Sequence, residues 1–241
     1  MNVAQEKIML ALDVDSGKEA LAWAERMKPF LRWIKVGHQL FLAEGPAILA
    51  NLQEAGFKIF LDLKFYDIPA TVAKAGVEAT RHGAAMFNVH ALGGIEMMKT
   101  CLESCKEFSS QKGIPLPRIL AVTLLTSHSR LMVEKEMGLA GPLVFHSTRL
   151  AKLAKEAGMS GLITSAMELP VLRKEFGSSF LYVVPGIRPA WSERDDQRRV
   201  ETPKQALDWG ADFIVIGRPI LNAPNPEEAI TKILYEISAA P

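Results

Sequence analysis

Eight short apolar runs, separated by amphipathic stretches, constrain the fold of this 241-residue chain more than any other feature. They are "IMLALD" (8–13), "WIKVG" (33–37), "IFLDLK" (59–64), "AMFNVH" (85–90), "ILAVTLL" (119–125), "GLITSA" (161–166), "LYVVP" (181–185) and "FIVIG" (213–217). Runs of this length, rich in β-branched and aromatic residues, read as buried strands. Helical patterns fill most of the gaps, over 18–31, 68–82, 95–108, 143–157 and 226–238, and the glycines of "GF", "HGA", "AGM" and "WGAD" stop helices ahead of several strands. Regular alternation without a composition break predicts a single-domain (β/α)8 TIM barrel over 1–241. A doubly wound sheet is the main rival, but "ALDVDSGKEA" after the first run offers one glycine and no GxGxxG.

Composition narrows the partners. With 28 basic and 27 acidic residues the net charge is +1, which gives no reason to expect nucleic acid or an anionic membrane. No segment approaches the ~18 uninterrupted apolar residues of a membrane span, and "MNVAQEKIMLALDVD" runs straight into a strand-like stretch, unlike a signal peptide. Cys101 and Cys105, four apart on a predicted helix, read as reduced, packed thiols. The expectation is a soluble, cytoplasmic protein.

In a barrel, chemistry sits at the carboxyl ends of the strands. The third run there carries Asp62 and Lys64, with Asp67 just beyond. Residues i and i+2 of a strand share a face, so the carboxylate and the ammonium project side by side. Three charges at close quarters carry a desolvation cost that plain structure seldom retains. Asp13, Lys35, Asn88, His90, Thr126 and Ser127 lie at or just past other strand ends. "VPGIRP" and "VIGRPI" each set a glycine beside an arginine, Arg188 in one and Gly217–Arg218 in the other. Glycine admits an anion to backbone N–H groups and a guanidinium holds it bidentately, so the last two strands read as a phosphate site. One polar connection, 186–202, is long enough for a lid or binding loop. The five histidines lack metal-site spacing. His90 reads as a satisfied polar group, Met97–Met98 as helix packing, and Trp191 either as a ligand cap or as an exposed aromatic.

At this point the residues resemble the orotidine 5′-phosphate decarboxylases. "FLDLKFYDIPATV" resembles that family's signature, and "LALDVD", "IKVG", "NVHALGG", "LLTS", "PGIRP", "DQRRVETP" and "IGRPI" follow in the family's order. Related sugar-phosphate barrels keep DxKxxD but not the continuation through Ile68, Pro69 and Thr71. The resemblance implies that Lys64 protonates the product carbon, flanked by Asp62 and Asp67, with Lys35 in the same charge array. It assigns Asp13 to the ribose hydroxyls, Thr126 to the pyrimidine edge, and Arg188, Gln197, Gly217 and Arg218 to the phosphate. It further implies a cofactor-free, metal-free reaction on a nucleotide, and a homodimer in which Asp67 and Thr71 reach the neighbouring subunit's site. Where many members carry Gly-Asp early in the long loop, this chain has "AWSERDD". Two alternatives stay open: a metal-dependent hexulose-phosphate synthase or pentose-phosphate epimerase on the same scaffold, and a non-catalytic nucleotide-binding barrel.

Overall fold

Inward and outward side chains alternate along every strand, and the two sets form separate cores. Met9, Trp33, Phe60, Met86, Leu120 and Val183 belong to an interior cluster, while Ile8, Ile34, Leu61, Phe87, Ala121 and Val184 pack in a second cluster beneath the helices. Strands buried on both faces must be parallel and covered. The computed structural model, which describes residues 3–192 and 201–238, shows this arrangement. Strands β1 (Ile8–Ala11), β2 (Trp33–Gly37), β3 (Lys58–Phe65), β4 (Met86–His90), β5 (Arg118–Val122), β6 (Gly161–Ile163), β7 (Leu181–Val184) and β8 (Phe213–Ile216) close in sequence order into a parallel barrel. Around it lie α1 (Val3–Lys7), α2 (Gly17–Met27), α3 (His38–Glu44), α4 (Ala47–Glu54), α5 (Pro69–Arg81), α6 (Gly94–Lys112), α7 (Arg130–Lys135), α8 (Leu143–Glu156), α9 (Leu169–Phe176), α10 (Pro203–Asp208), α11 (Arg218–Leu221) and α12 (Pro226–Ser238). Among the described residues no helix is long and apolar enough to cross a membrane.

Local chemistry sets the ends of these helices. Ser16 caps α2 by accepting the Glu19 N–H, Pro69 begins α5 where no intrahelical donor is required, and Gly113 closes α6 in the left-handed conformation. Helices α5 and α6 pack closely because Gly76 has no side chain: a Cβ there would come within 2.6 Å of Cys101 Sγ and 2.9 Å of Cys105 Sγ. Both thiols are free and buried, filling that contact as small apolar groups.

Several strands are shorter than their apolar runs suggest. β1 stops at Ala11, β5 at Val122 and β6 at Ile163, so Asp13 and Thr126 sit in the loops just beyond. A short helix, α1, precedes β1 where the sequence reads as a direct entry into strand. The main irregularity lies between β3 and β4. Leu61 pairs with Phe87 and Phe65 with Val89, so four steps along β3 span two along β4. A bulge of this kind re-aims side chains and is common beside active sites.

Candidate active site

The inward positions change character toward the carboxyl ends of β1, β2 and β3. Met9 and Ala11 lead to Asp13, Trp33 to Lys35, and Phe60 to Asp62 and Lys64. These four charged groups form one wall of a cavity of about 400 Å3, whose other walls include Thr126, Arg188, Gly217 and Arg218. Phe60, Val122, Ile163, Val183 and Val215 also line it, from the top layer of the barrel core. The size suits a small ligand with one apolar face and several polar handles.

The charges form a chain of alternating sign. Lys35 Nζ lies 3.1 Å from Asp13 Oδ1 and 3.5 Å from Asp62 Oδ2, and Lys64 Nζ lies 2.7 Å from Asp62 Oδ1. Burial pushes the Asp62 carboxyl up, but the charges of Lys35 and Lys64, with hydrogen bonds from Lys64 and Asn88, outweigh it and hold Asp62 below its usual range. Asp62 is therefore ionised at neutral pH, and the four groups sum to zero net charge. Space for the array comes from Gly37, the next inward position on β2, where a Cβ would fall 2.8 Å from Lys35 Nζ and 3.0 Å from Asp13 Oδ1.

Lys64 adopts φ 47°, the one positive value outside glycine among the described residues. An L-residue there costs about 1–2 kcal/mol, and such strain collects at functional sites. The N–H of Lys64 donates to Asn88 Oδ1 (2.7 Å) and Asn88 Nδ2 donates to Asp62 Oδ1 (2.7 Å). Asn88 is an inward polar residue of the fourth run; its cross-strand bonds depend on the β3 bulge, which no local pattern reveals.

Asp67, expected to reach the neighbouring subunit's site, lies outside the chain's own cavity. It is exposed, lines no part of the cavity, and its Oδ1 accepts the Ile68 N–H at 2.6 Å. The chain has already left β3 at this point and is turning into α5, which carries Asp67 away from the barrel mouth. Thr71, in the first turn of α5, is likewise exposed and outside the cavity. Gln197 lies outside the described residues, as does the rest of 193–200 within the 186–202 loop. The loop's base is tied, with Ile187 bridging to Glu201 and the Arg188 N–H donating to Glu201 O at 3.0 Å. Gly186 lines the cavity with φ 75°, a turn that favours glycine. Trp191 is half exposed and borders a neighbouring recess with Arg218 and Asn222. A further cavity residue, Thr164, donates its hydroxyl to the buried Glu168 Oε2 at 3.1 Å.

His90 is the buried, satisfied group the sequence suggested: Nδ1 accepts the Leu92 N–H and the Tyr66 ring lies against it. Burial, with the charges of His128 and Lys64, lowers its pKa from 6.5 to about 4. Below 6.5 the unfolded chain takes up a proton that the native chain refuses, so this contribution to stability is complete above 6.5 and lost as pH falls toward 4. Thermal midpoints should fall over that window, and His90→Asn should flatten the dependence.

The orotidine 5′-phosphate decarboxylase / HUMPS family model matches residues 6–233. The chain belongs to this family. Relatives named orotidine 5′-phosphate decarboxylase include those of Syntrophomonas wolfei, 49% identical across 97% of this chain and 98% of that protein, and of Geotalea daltonii, 46% identical across 98% of each. The crystal structure of orotidine 5′-phosphate decarboxylase from Lactobacillus acidophilus superposes with a TM-score of 0.83 at 36% identity, covering 97% of this chain and all of that one. Within the matched region, "DLKFYDIPAT" spans the β3 bulge, the Asp62–Lys64 ion pair and the entry to α5.

Proposed function

We infer that the protein decarboxylates orotidine 5′-monophosphate to uridine 5′-monophosphate and CO2, the carboxy-lyase step of pyrimidine nucleotide synthesis. The observation that carries this reading is Lys64, held against Asp62 at the mouth of a closed barrel and opposite two arginines. The C6–carboxylate bond breaks, its electron pair stays on C6 in the plane of the ring, and the Lys64 ammonium gives C6 a proton. No ring orbital delocalises that pair, so the site must stabilise it electrostatically. In this array negative charge migrates from the substrate carboxylate to C6, and Lys64 is the group placed to gain from the move.

Crowding of the substrate carboxylate by Asp62 contributes less. Two bare like charges ~4 Å apart at an effective dielectric near 20 repel by about 4 kcal/mol, but Asp62 already faces two ammonium groups. Asp13 is assigned to the ribose hydroxyls, Thr126 to the pyrimidine edge, and Arg188, Gln197, Gly217 and Arg218 to the phosphate. Binding energy from the phosphate, which does not react, is available to hold the ring in place. Among the described residues no three His, Cys, Asp or Glu side chains group as a metal site. The test is the purified protein with orotidine 5′-monophosphate, following ring absorbance with and without EDTA. Equal turnover in both is expected; turnover lost in EDTA, or absent throughout, overturns the reading.

The reading includes a cytoplasmic homodimer. Its support is the placement of Asp67 and Thr71 outside the chain's own cavity, beside exposed Tyr66 and Ile68 (61% and 65%). Apolar side chains flanking a charged one on a protruding loop fit a partner's surface. Lys64→Ala and Asp67→Ala, each inactive alone, should recover activity when co-refolded. Random pairing makes half the dimers mixed, each with one intact site, giving about a quarter of the wild-type sites. No recovery would show that each chain supplies its own site.

A further inference from the structure

We propose that Asn88 is a positioning residue for proton donation, its carboxamide holding the Lys64 backbone in the left-handed turn and locking the Asp62 carboxylate that Lys64 grips. The inference rests on the decarboxylase reading above. Asn88 is fully buried and does not line the cavity, so it acts through its neighbours. Both ends of its carboxamide are committed. A backbone N–H can only donate, so the Lys64 N–H requires Oδ1; an ionised carboxylate can only accept, so Asp62 requires Nδ2.

The β3 bulge explains why a side chain is needed. Between Leu61–Phe87 and Phe65–Val89 the ladder is broken, and the Lys64 N–H turns to the Asn88 side chain in place of a β4 carbonyl. An unmet N–H at this depth would be costly, and the bond offsets the strain of φ 47°. That turn sets the direction in which the Lys64 side chain leaves the backbone, and Nζ ends on Asp62 Oδ1, the oxygen that Asn88 also binds. One carboxamide thus fixes the donor's backbone and the carboxylate that orients its tip. Neither serine, too short to bridge the two, nor aspartate, which cannot donate when ionised, can replace it.

The groups facing Asp62 are Lys35 from β2, Lys64 on its own strand and Asn88 from β4, with Asp13 beyond Lys35 and a neutral His90 further along β4. A carboxylate at position 88 would add a like charge to this set and make its protonation easier. Asn88→Ser and Asn88→Asp should therefore each lower kcat by about 10²-fold, the cost of an ångström-scale misplacement. Affinity for uridine 5′-monophosphate should stay within about threefold, because Asn88 lines no part of the cavity. The acid limb of kcat/KM should move to higher pH in Asn88→Asp.

A merely structural role would lower the melting temperature of Asn88→Ser and leave kcat and the pH profile of the folded fraction intact; that result overturns the proposal, as does an unmoved acid limb in Asn88→Asp. Should the shorter serine fail to fold, the aspartate, equal in size to asparagine, carries the test. Wild-type protein assayed alongside separates the two readings: if it leaves orotidine 5′-monophosphate untouched, the decarboxylase assignment fails. The positioning role is then decided by crystal structures, in which Lys64 should return to negative φ in Asn88→Ser; retention of the left-handed turn overturns it.

Discussion

Lys64→Ala is expected to lower kcat by about 10⁵-fold. A positioned general acid is worth ~10²–10⁴ in rate and an electrostatic group aimed at developing charge ~10²–10³, and Lys64 is assigned both tasks. Alanine isolates the loss, because at φ 47° it bears the same backbone strain as lysine. Asp62 keeps Lys35 and Asn88 as partners, so the carboxylate is not stranded. Affinity for uridine 5′-monophosphate should change only a few-fold, since the residues assigned to the phosphate and the ribose remain. Single-turnover rates and product titration, measured on protein with wild-type circular dichroism, check both halves. Appreciable turnover in Lys64→Ala would remove Lys64 from the chemistry.

Arg218→Ala is expected to cost about 3–5 kcal/mol in kcat/KM, between 10²- and 10⁴-fold, as for truncating one partner of a desolvated charge pair. Arg218 opens α11 on the cavity wall next to Gly217, whose missing side chain lets β8 approach Ala11; a Cβ there would lie 3.1 Å from that of Ala11. The decisive comparison uses orotidine, the substrate without its phosphate. Wild type should lose most of its advantage on orotidine, and Arg218→Ala should lose almost nothing further, because the two deletions remove one interaction. Equal sensitivity to Arg218→Ala with either substrate would place the arginine elsewhere. A fall in kcat as well as a rise in KM is expected, because binding energy from the phosphate is spent on positioning the ring.

The assignments differ in how far local sequence carries them. Lys35 and Asp62 follow from a period of two: once Trp33 and Phe60 face inward, so must these charges, and Lys35, level with Phe60, reaches Asp62 one inward position further along β3. Gly37 was readable only as the end of a strand, and its part in seating the Lys35–Asp13 pair became visible from the neighbouring atoms. Asp67 shows the reverse: five residues from Asp62 in sequence, it is carried out of the chain's own cavity by the turn into α5.

Sequence by itself determined the barrel, because eight runs buried on both faces and joined by amphipathic helices have few other ways to cover themselves. It also determined which strand ends bear charge, since alternation is a property of each strand alone. Tertiary structure decided the rest: the bulge of β3 against β4, the left-handed turn at Lys64, and the carboxamide of Asn88 that joins Lys64 to Asp62. Those features depend on the register between strands more than twenty residues apart, and register is set by the packing of the whole barrel, which no local pattern encodes.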